Sequence, residues 1–420
     1  MWPRILLLIT IMALLSCQSE SSVMGDESEQ PKSGTVDSLD GDLVEANTRF
    51  AMRLFREVAT PNPSENVFIS PPSVAVALAM TYNGADGETR EAMARALNVE
   101  HFDLGELNSS YSDLLALLKN PDSAVELSIA NSLWARQGLP FRKDFLERNR
   151  ESYSAKIEEL NFGSADAAPT INGWVKDQTR GKISKIVNDP IDTDMIMFLL
   201  NAIYFKGTWT REFADSLTTE RTFTRGDGSR IQHPLMNTTD TLPYFDGGTF
   251  ESVSIPYGSE RVSMYVFLPN RDSDLPSLLA QLNAQNWDQW IHSYRRIEGN
   301  LALPKFKMEY EVRLKDALTA LGMGVAFSEQ EADFSRMIPV TPSQNVYISE
   351  VKHKTFVEVN EQGTEAAAVT SVGMATTSFD PDPPQRFDMI VDRPFLFAIR
   401  DNRTGIVLFM GVIVDPSAEG

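Results

Sequence analysis

The sequence predicts an α+β body, with helices concentrated in the first half of the chain and strands in the second. Three observations carry that reading. Apolar residues recur at helical spacing in most segments between 43 and 179. From 195 onward the pattern changes to continuous or alternating apolar runs punctuated by turn residues. No internal repeat appears and no linker interrupts 43–360, so one large domain is expected.

The elements follow in chain order. Leu43, Ala46, Phe50, Ala51, Leu54, Phe55 and Val58 predict an amphipathic first helix, so folding starts near Asp42. Ser70-Pro71-Pro72 opens a second helix through Thr81, with proline in its first turn, and Asn83-Gly84 closes it. Residues 86–97, 103–119, 142–153 and 169–179 read as further helices, and Val125, Leu127 and Ile129 alternate as a strand. The run 195–205 carries one strongly polar side chain, Asn201, and is too short for a membrane span, so it reads as a central strand buried on both faces. A lone Asn there needs partners, in a buried hydrogen-bond cluster or at a strand bulge.

Beyond Trp209, Gly226-Asp227-Gly228 marks a hairpin tip and 262–268 a strand ended by Pro269. Residues 275–294 read as helical, 301–303 as extended, 312–321 as a short helix and 346–360 as one long alternating strand. Residues 395–399, the turn 401–405 and 406–414 form a final hairpin.

Composition bounds the function. Of 420 residues 42% are hydrophobic and 23% charged, which argues against collagen-like, disordered or coiled-coil identities. Lysine and arginine number 38 against 58 acids, and a net charge of −20 repels phosphates, so no nucleic-acid partner is expected. The single cysteine, Cys17, excludes an intrachain disulfide and a thiolate zinc site. His101, His233, His292 and His353 lie far apart, with no close ligand pair. No metal and no cofactor are expected. A GxSxG elbow, a catalytic cysteine in the body and a phosphate loop are missing too, so the chain does not read as an enzyme.

The N-terminus reads as an export and anchoring device. Arg4 precedes an apolar run from Ile5 to Leu15, the layout of a secretion signal. Leu14-Leu15-Ser16-Cys17 resembles the bacterial lipoprotein box, which implies a signal peptide over 1–16 and lipidation of Cys17. The alternative is a plain signal peptide with a chance cysteine, but the chain's one thiol sits where that chemistry needs it. Several acyl chains give stable anchoring. Gln18 resembles the sorting position of outer-membrane lipoproteins, which implies a periplasmic or cell-surface location. Residues 17–41 are Ser-rich and acidic and read as a flexible tether to a domain spanning 42–420.

Residues 361–384 fit no ordinary connection. Thirty residues separate Asn360 from Val391, long for a loop inside a compact domain. On a two-residue period Thr364, Ala366, Ala368, Thr370, Val372, Met374 and Thr376 share one face, small and uncharged, while Glu365 lies on the other. Gly363 supplies backbone freedom at the start. An edge strand or an Ala-rich helix is the competing reading of these residues.

The segment 361–370 (EQGTEAAAVT) resembles the hinge of inhibitory serpins, a family of serine protease inhibitors. The likeness extends over 43–416 through NVFISPPS (66–73), NAIYFKGTW (201–209), LPKF (303–306), ADFS (332–335), VNEQGT (359–364) and RPFLF (393–397), in family order. It implies three β-sheets, eight or nine helices and an exposed reactive-centre loop, here about 361–390. It implies as well a suicide-substrate mechanism: a serine protease acylates itself on the loop, and the cut loop inserts into the main sheet. Residues 364–377 would extend ~45 Å as a strand, enough to cross a large sheet.

The resemblance assigns roles. Glu361, Gly363, Thr364, Glu365, Ala366, Ala367 and Ala368 match the hinge. Ser70, Ser73, Asn201 and His353 match a polar cluster beneath the parting strands, and Trp209, Lys305 and Glu361 the top of the opening, with Lys305 and Glu361 paired. Family spacing places the bait sixteen positions after Glu361, so the reactive bond is Thr377–Ser378, with Met374 and Phe379 as alternatives. Thr377 suits elastase-type pockets, the alternatives subtilisin- or chymotrypsin-like ones, and the lack of Lys or Arg over 355–385 disfavours trypsin-like targets. The extra residues 380–384 leave room for a cut further on. Asp103, Glu106 and Asp113 outweigh Lys119 on the fourth helix, so no glycosaminoglycan partner is expected. A monomer is expected. A non-inhibitory carrier or chaperone of the same family is the alternative function.

Overall fold

Capping and apolar periodicity set the helical layer. The computed structural model describes residues 39–119, 122–192, 195–339, 345–364 and 386–418. Helix α1 (Gly41–Ala59) starts where the Asp40 carboxylate accepts the Asp42 N–H, and it buries the stripe Leu43, Phe50, Leu54 and Phe55. Helix α2 (Pro71–Tyr82) is buried almost all round, as a helix without a polar face must be. Two more follow, α3 (Gly87–Leu97) and α4 (Leu104–Leu118). The α4 start is closed by a capping box in which Asp103 accepts from the Glu106 N–H and Glu106 from the Asp103 N–H. The remaining α-helices among the described residues are α5 (Lys143–Tyr153), α6 (Ala167–Gln178), α7 (Leu275–Gln281), α8 (Ala284–Ser293) and the single turn α9 (Lys315–Leu318).

The described strands form two hydrogen-bonded networks. The smaller has the order β10 (Phe306–Arg313), β11 (Lys352–Asn360), β12 (Gly363–Thr364), β4 (Met197–Thr208), β2 (Val125–Arg136) and β3 (Lys156–Leu160). Only β2 and β3 run parallel. The larger has the order β1 (Val67–Ile69), β15 (Val407–Ile413), β14 (Phe395–Asp401), β8 (Val262–Pro269), β7 (Phe250–Tyr257), β6 (Arg230–Asp246), β9 (Arg295–Pro304) and β13 (Phe387–Ile390), with β5 (Thr219–Thr224) also on β6. Three sheets were expected, and two of them are arms of this larger network. The long β6 ladders with β5 and β9 over most of its length and with β7 at its end, so it belongs to both arms. The core includes every residue of β8 and β15, and Phe68 stacks on Phe397 and Phe409 at 5.5 and 5.1 Å. Helix α2 packs against both β4 and β15, and so lies where the two networks meet.

Four sequence expectations change in the structure. The helix expected over 275–294 breaks at Leu282-Asn283, because Asn283 turns extended and its side chain accepts the Asn286 N–H to begin α8. The helix expected over 312–321 begins only at Lys315: Val312 still pairs with His353 in the β10–β11 ladder, and Gly322 at φ 102° bends its continuation. The long strand expected over 346–360 is laddered only from Lys352. Before it, Ile348 bonds through its backbone to Ala326 and Val351 to Leu314. The run 195–205, expected to be buried on both faces, is only half-buried over Met195–Leu199, beside the cavity described below.

Candidate functional site at the seam of the six-stranded sheet

The smaller sheet has a seam. Strand β4 is laddered to β2 from Gly207 to Met197, but among the described residues it reaches β11 only through the two-residue strand β12. After Asn360 the chain turns back, and Gly363 and Thr364 pair with Asn360 and Val359 on one side and with Thr208 and Gly207 on the other. Gly363 adopts φ +150°, and a Cβ there would lie 2.0 Å from the Gly207 carbonyl oxygen. Only glycine satisfies both constraints.

The top of the seam is closed by an ion pair and an aromatic stack. The Glu361 carboxylate accepts from Lys305 Nζ at 2.8 and 3.1 Å and from the Thr218 hydroxyl at 2.8 Å. Burial pushes the Glu361 carboxyl up, but the Lys305 and Thr218 hydrogen bonds and the Lys305 charge together hold it below its ordinary value. Trp209 Nε1 donates to the Asn360 carbonyl and its backbone N–H to that of Gln362, both at 3.0 Å. Its ring stacks on Tyr257 at 4.3 Å, and the Tyr257 hydroxyl meets the Thr364 hydroxyl at 2.7 Å. The expected trio Trp209, Lys305 and Glu361 is therefore brought together, with Thr218 and Tyr257 added.

Beneath the seam lies the expected polar cluster. His353, buried under β11, accepts the Ser70 N–H on Nε2 at 2.9 Å, and burial lowers its pKa to about 4. The imidazole is therefore neutral, with its proton on Nδ1. Ser70 stands at the N-cap of α2, but its hydroxyl makes no cap bond; it donates to the Leu408 carbonyl at 2.8 Å, tying the helix start to β15. Ser73 donates to Asn201 Oδ1, and Asn201 donates to Asn131 Oδ1 across the β4–β2 ladder. Asn201 is thus partnered in a cluster rather than placed at a bulge. Asn131 went unnoticed in the sequence, although its place on the face of Val125, Leu127 and Ile129 was a polar interruption open to the same reasoning.

Below β12 the seam continues as a cavity of about 330 Å³. Met197, Leu199 and Asn201 of β4, Ile348 and Val351 of the chain before β11, and Val74 of α2 are among the residues that line it. A space between β4 and the chain that leads into β11, lined by apolar and polar side chains, is open to an extended segment of small residues. The seven-residue hinge is only partly described: Glu361, Gly363 and Thr364 sit as above, whereas Glu365, Ala366, Ala367 and Ala368 lie outside the described residues. So do the expected reactive bond Thr377–Ser378, its alternatives Met374 and Phe379, and the lipidation site Cys17. Among the described residues no cluster of three or more His, Cys, Asp or Glu side chains is arranged to hold a metal ion.

Comparison with known proteins places this geometry. The family model described as Serpin (serine protease inhibitor) matches residues 45–416. The human leukocyte elastase inhibitor is 34% identical over 386 residues, covering 89% of this chain and 99% of that protein. The crystal structure of the thermophilic serpin tengpin in its native state superposes with a TM-score of 0.83 at 34% identity, over 92% of this chain and 97% of that one. The crystal structure of human thyroxine-binding globulin complexed with thyroine superposes with a TM-score of 0.78 at 26% identity, over 90% of this chain and 99% of that one. With the mixed two-network architecture, the seam and the family match over nearly all the described residues, the chain belongs to the serpin family of serine protease inhibitors.

Proposed function

We propose that the protein is a suicide-substrate inhibitor of serine proteases that traps the acyl-enzyme by inserting its cut loop as a new strand between β11 and β4. The observation that carries the reading is the seating of Gly363 and Thr364 at the top of a seam whose lower part is a cavity beside β4. The next residues on the Thr364 face, Ala366, Ala368, Thr370 and Val372, are small and uncharged, so continued pairing buries no charge. In the reaction the protease serine Oγ forms an ester with the Thr377 carbonyl carbon. The Thr377–Ser378 peptide bond breaks, and the new amine of Ser378 leaves with the proton relayed by the protease histidine. Loop insertion then carries the ester-linked protease away before water hydrolyses it. Elastase- or subtilisin-like enzymes fit Thr377, Met374 and Phe379. Lipidation at Cys17 anchors the domain to a bacterial membrane, the outer membrane on the reading of Gln18.

A carrier role is the second reading, favoured by the likeness to thyroxine-binding globulin. Incubation with an elastase-like protease separates the two: an SDS-stable complex supports inhibition, and plain cleavage supports the carrier. Thr364→Arg tests the mechanism itself, because Thr364 is 2% exposed between the strands. The variant should be cut without forming the complex; undiminished inhibition would defeat insertion.

A further inference from the structure

A chain of buried polar side chains runs from the seam into the helical layer and returns. Asn131, opposite Asn201 in the β2–β4 ladder, takes the Asn201 amide on its Oδ1 at 2.5 Å. Its own amide donates to the backbone carbonyl of Tyr153, the last residue of α5, at 2.7 Å. The Tyr153 hydroxyl donates to Asn108 Oδ1 on α4 at 2.8 Å. Asn108 and Asn83 exchange reciprocal amide hydrogen bonds at 2.9 and 3.0 Å, and Asn83 caps the C-terminal end of α2. Because Ser73 in the first turn of α2 donates to Asn201, the ring closes on the helix where it began. Ser73, Asn83, Asn108, Asn131 and Tyr153 are each no more than 5% exposed.

Opening the seam must move one part of this ring against another. A strand entering between β4 and β11 displaces β4 together with β2 and β3, which are laddered to it. The end of α5 goes with that block, since the Tyr153 carbonyl accepts from Asn131 of β2 and the chain enters β3 three residues later. Helices α2 and α4 hold the other half of the ring. Two hydrogen bonds in the ring join the halves: Ser73 to Asn201 beside the seam, and Tyr153 to Asn108 in the helical layer. Resting on the insertion reading above, we propose that the Tyr153–Asn108 hydrogen bond is a second latch, holding the β3–β2–β4 block and α5 against α2 and α4 and setting how fast the sheet parts. Tyr153 is thereby a positioning residue for the inhibitory step.

The test uses the full chain and a synthetic peptide of the sequence 364–377 as probe. Annealing of that peptide into the sheet is followed by native electrophoresis and by the rise in melting temperature it produces. Tyr153→Phe keeps the ring in place beside Tyr111 and removes only the hydroxyl. It should speed annealing about three- to tenfold, the range set by one net hydrogen bond. Asn108→Ala removes the same bond from its other end, together with the Asn83 pair that lies within the α2–α4 half, and guards against a variant that does not fold. It should speed annealing comparably, and the double variant should be no faster than the faster single one. A purely structural role would lower the denaturant midpoint and leave the annealing rate alone. An unchanged rate in both variants, with normal annealing of the parent, overturns the latch and leaves insertion standing. Failure of the parent to anneal overturns the insertion reading and the latch together.

Discussion

Between pH 7.5 and 5 acidification reaches the seam through His353, and the size of its effect follows from the structure. The side chain is 6% exposed, and burial lowers its pKa from 6.5 to about 4. Its Nε2 accepts the Ser70 N–H, which it can do only unprotonated. In the unfolded chain the imidazole takes its proton near pH 6.5, in the native protein near pH 4. Across that window the unfolded state holds the extra proton, so the stability contributed by the neutral imidazole is complete above pH 6.5, falls as the pH falls, and is fully lost below pH 4. At about 1.4 kcal/mol per pH unit the whole gap is worth roughly 3 kcal/mol, of which about 2 kcal/mol is gone at pH 5. The assay is denaturant unfolding of the intact protein between pH 7.5 and 5, for the parent and for His353→Gln. The carboxylates titrate in both proteins, so the difference isolates the histidine. The parent should lose about 2 kcal/mol more than the variant over this range. Equal losses would refute the reasoning, since they would mean that the buried imidazole accepts its proton as readily as a solvated one.

Three further outcomes follow from particular contacts. Gly363→Ala places a methyl group 2.0 Å from the Gly207 carbonyl oxygen at a φ of +150°, so β12 should leave the sheet. A cost of about 1–3 kcal/mol in the unfolding midpoint checks this, together with loss of protection at the Thr364 amide in hydrogen exchange. Glu361→Gln removes the charge from a pair in which the Glu361 side chain is 9% and the Lys305 side chain 38% exposed. The expected loss is about 1–2 kcal/mol at pH 7, measured by denaturant unfolding. Because the folded carboxyl lies below its ordinary 4.5, that difference should hold above pH 4.5 and shrink as the pH falls through the lowered value. Cys17→Ser should shift the expressed protein from the detergent phase to the aqueous phase in a Triton X-114 partition; an unchanged distribution would contradict the lipid anchor.

Much of this architecture was legible in the sequence because local and tertiary demands agree there. The stripe from Leu43 to Val58 is helical on its own pattern and is buried as such, and the alternation of 352–360 places His353, Thr355, Val357 and Val359 on the buried face. The break at Asn283 was hidden because α7 and α8 keep apolar positions at compatible spacing, so periodicity alone sees one helix where a cap makes two. Residues 346–351 alternate like a strand, but their backbone bonds to Ala326 and Leu314 instead of joining a ladder. The site was legible in its motif residues. Thr218 and Tyr257 come from distant strands and loops and acquire meaning only through contact with Glu361, Trp209 and Thr364. The ring through Asn83, Asn108 and Tyr153 was illegible for the same reason: each reads as an unremarkable polar or aromatic residue near a helix end, and folding alone joins them.

The central claim is that cutting the loop releases a strand that β4 and β11 are poised to accept. The measurement that meets it head-on is differential scanning calorimetry of the intact chain beside the same chain nicked within 365–385, with the cut position fixed by mass spectrometry. The account predicts that the nicked protein melts at a higher temperature than the intact one, because the freed segment completes the ladder along the seam. A nicked protein that melts at the same temperature or lower would contradict it.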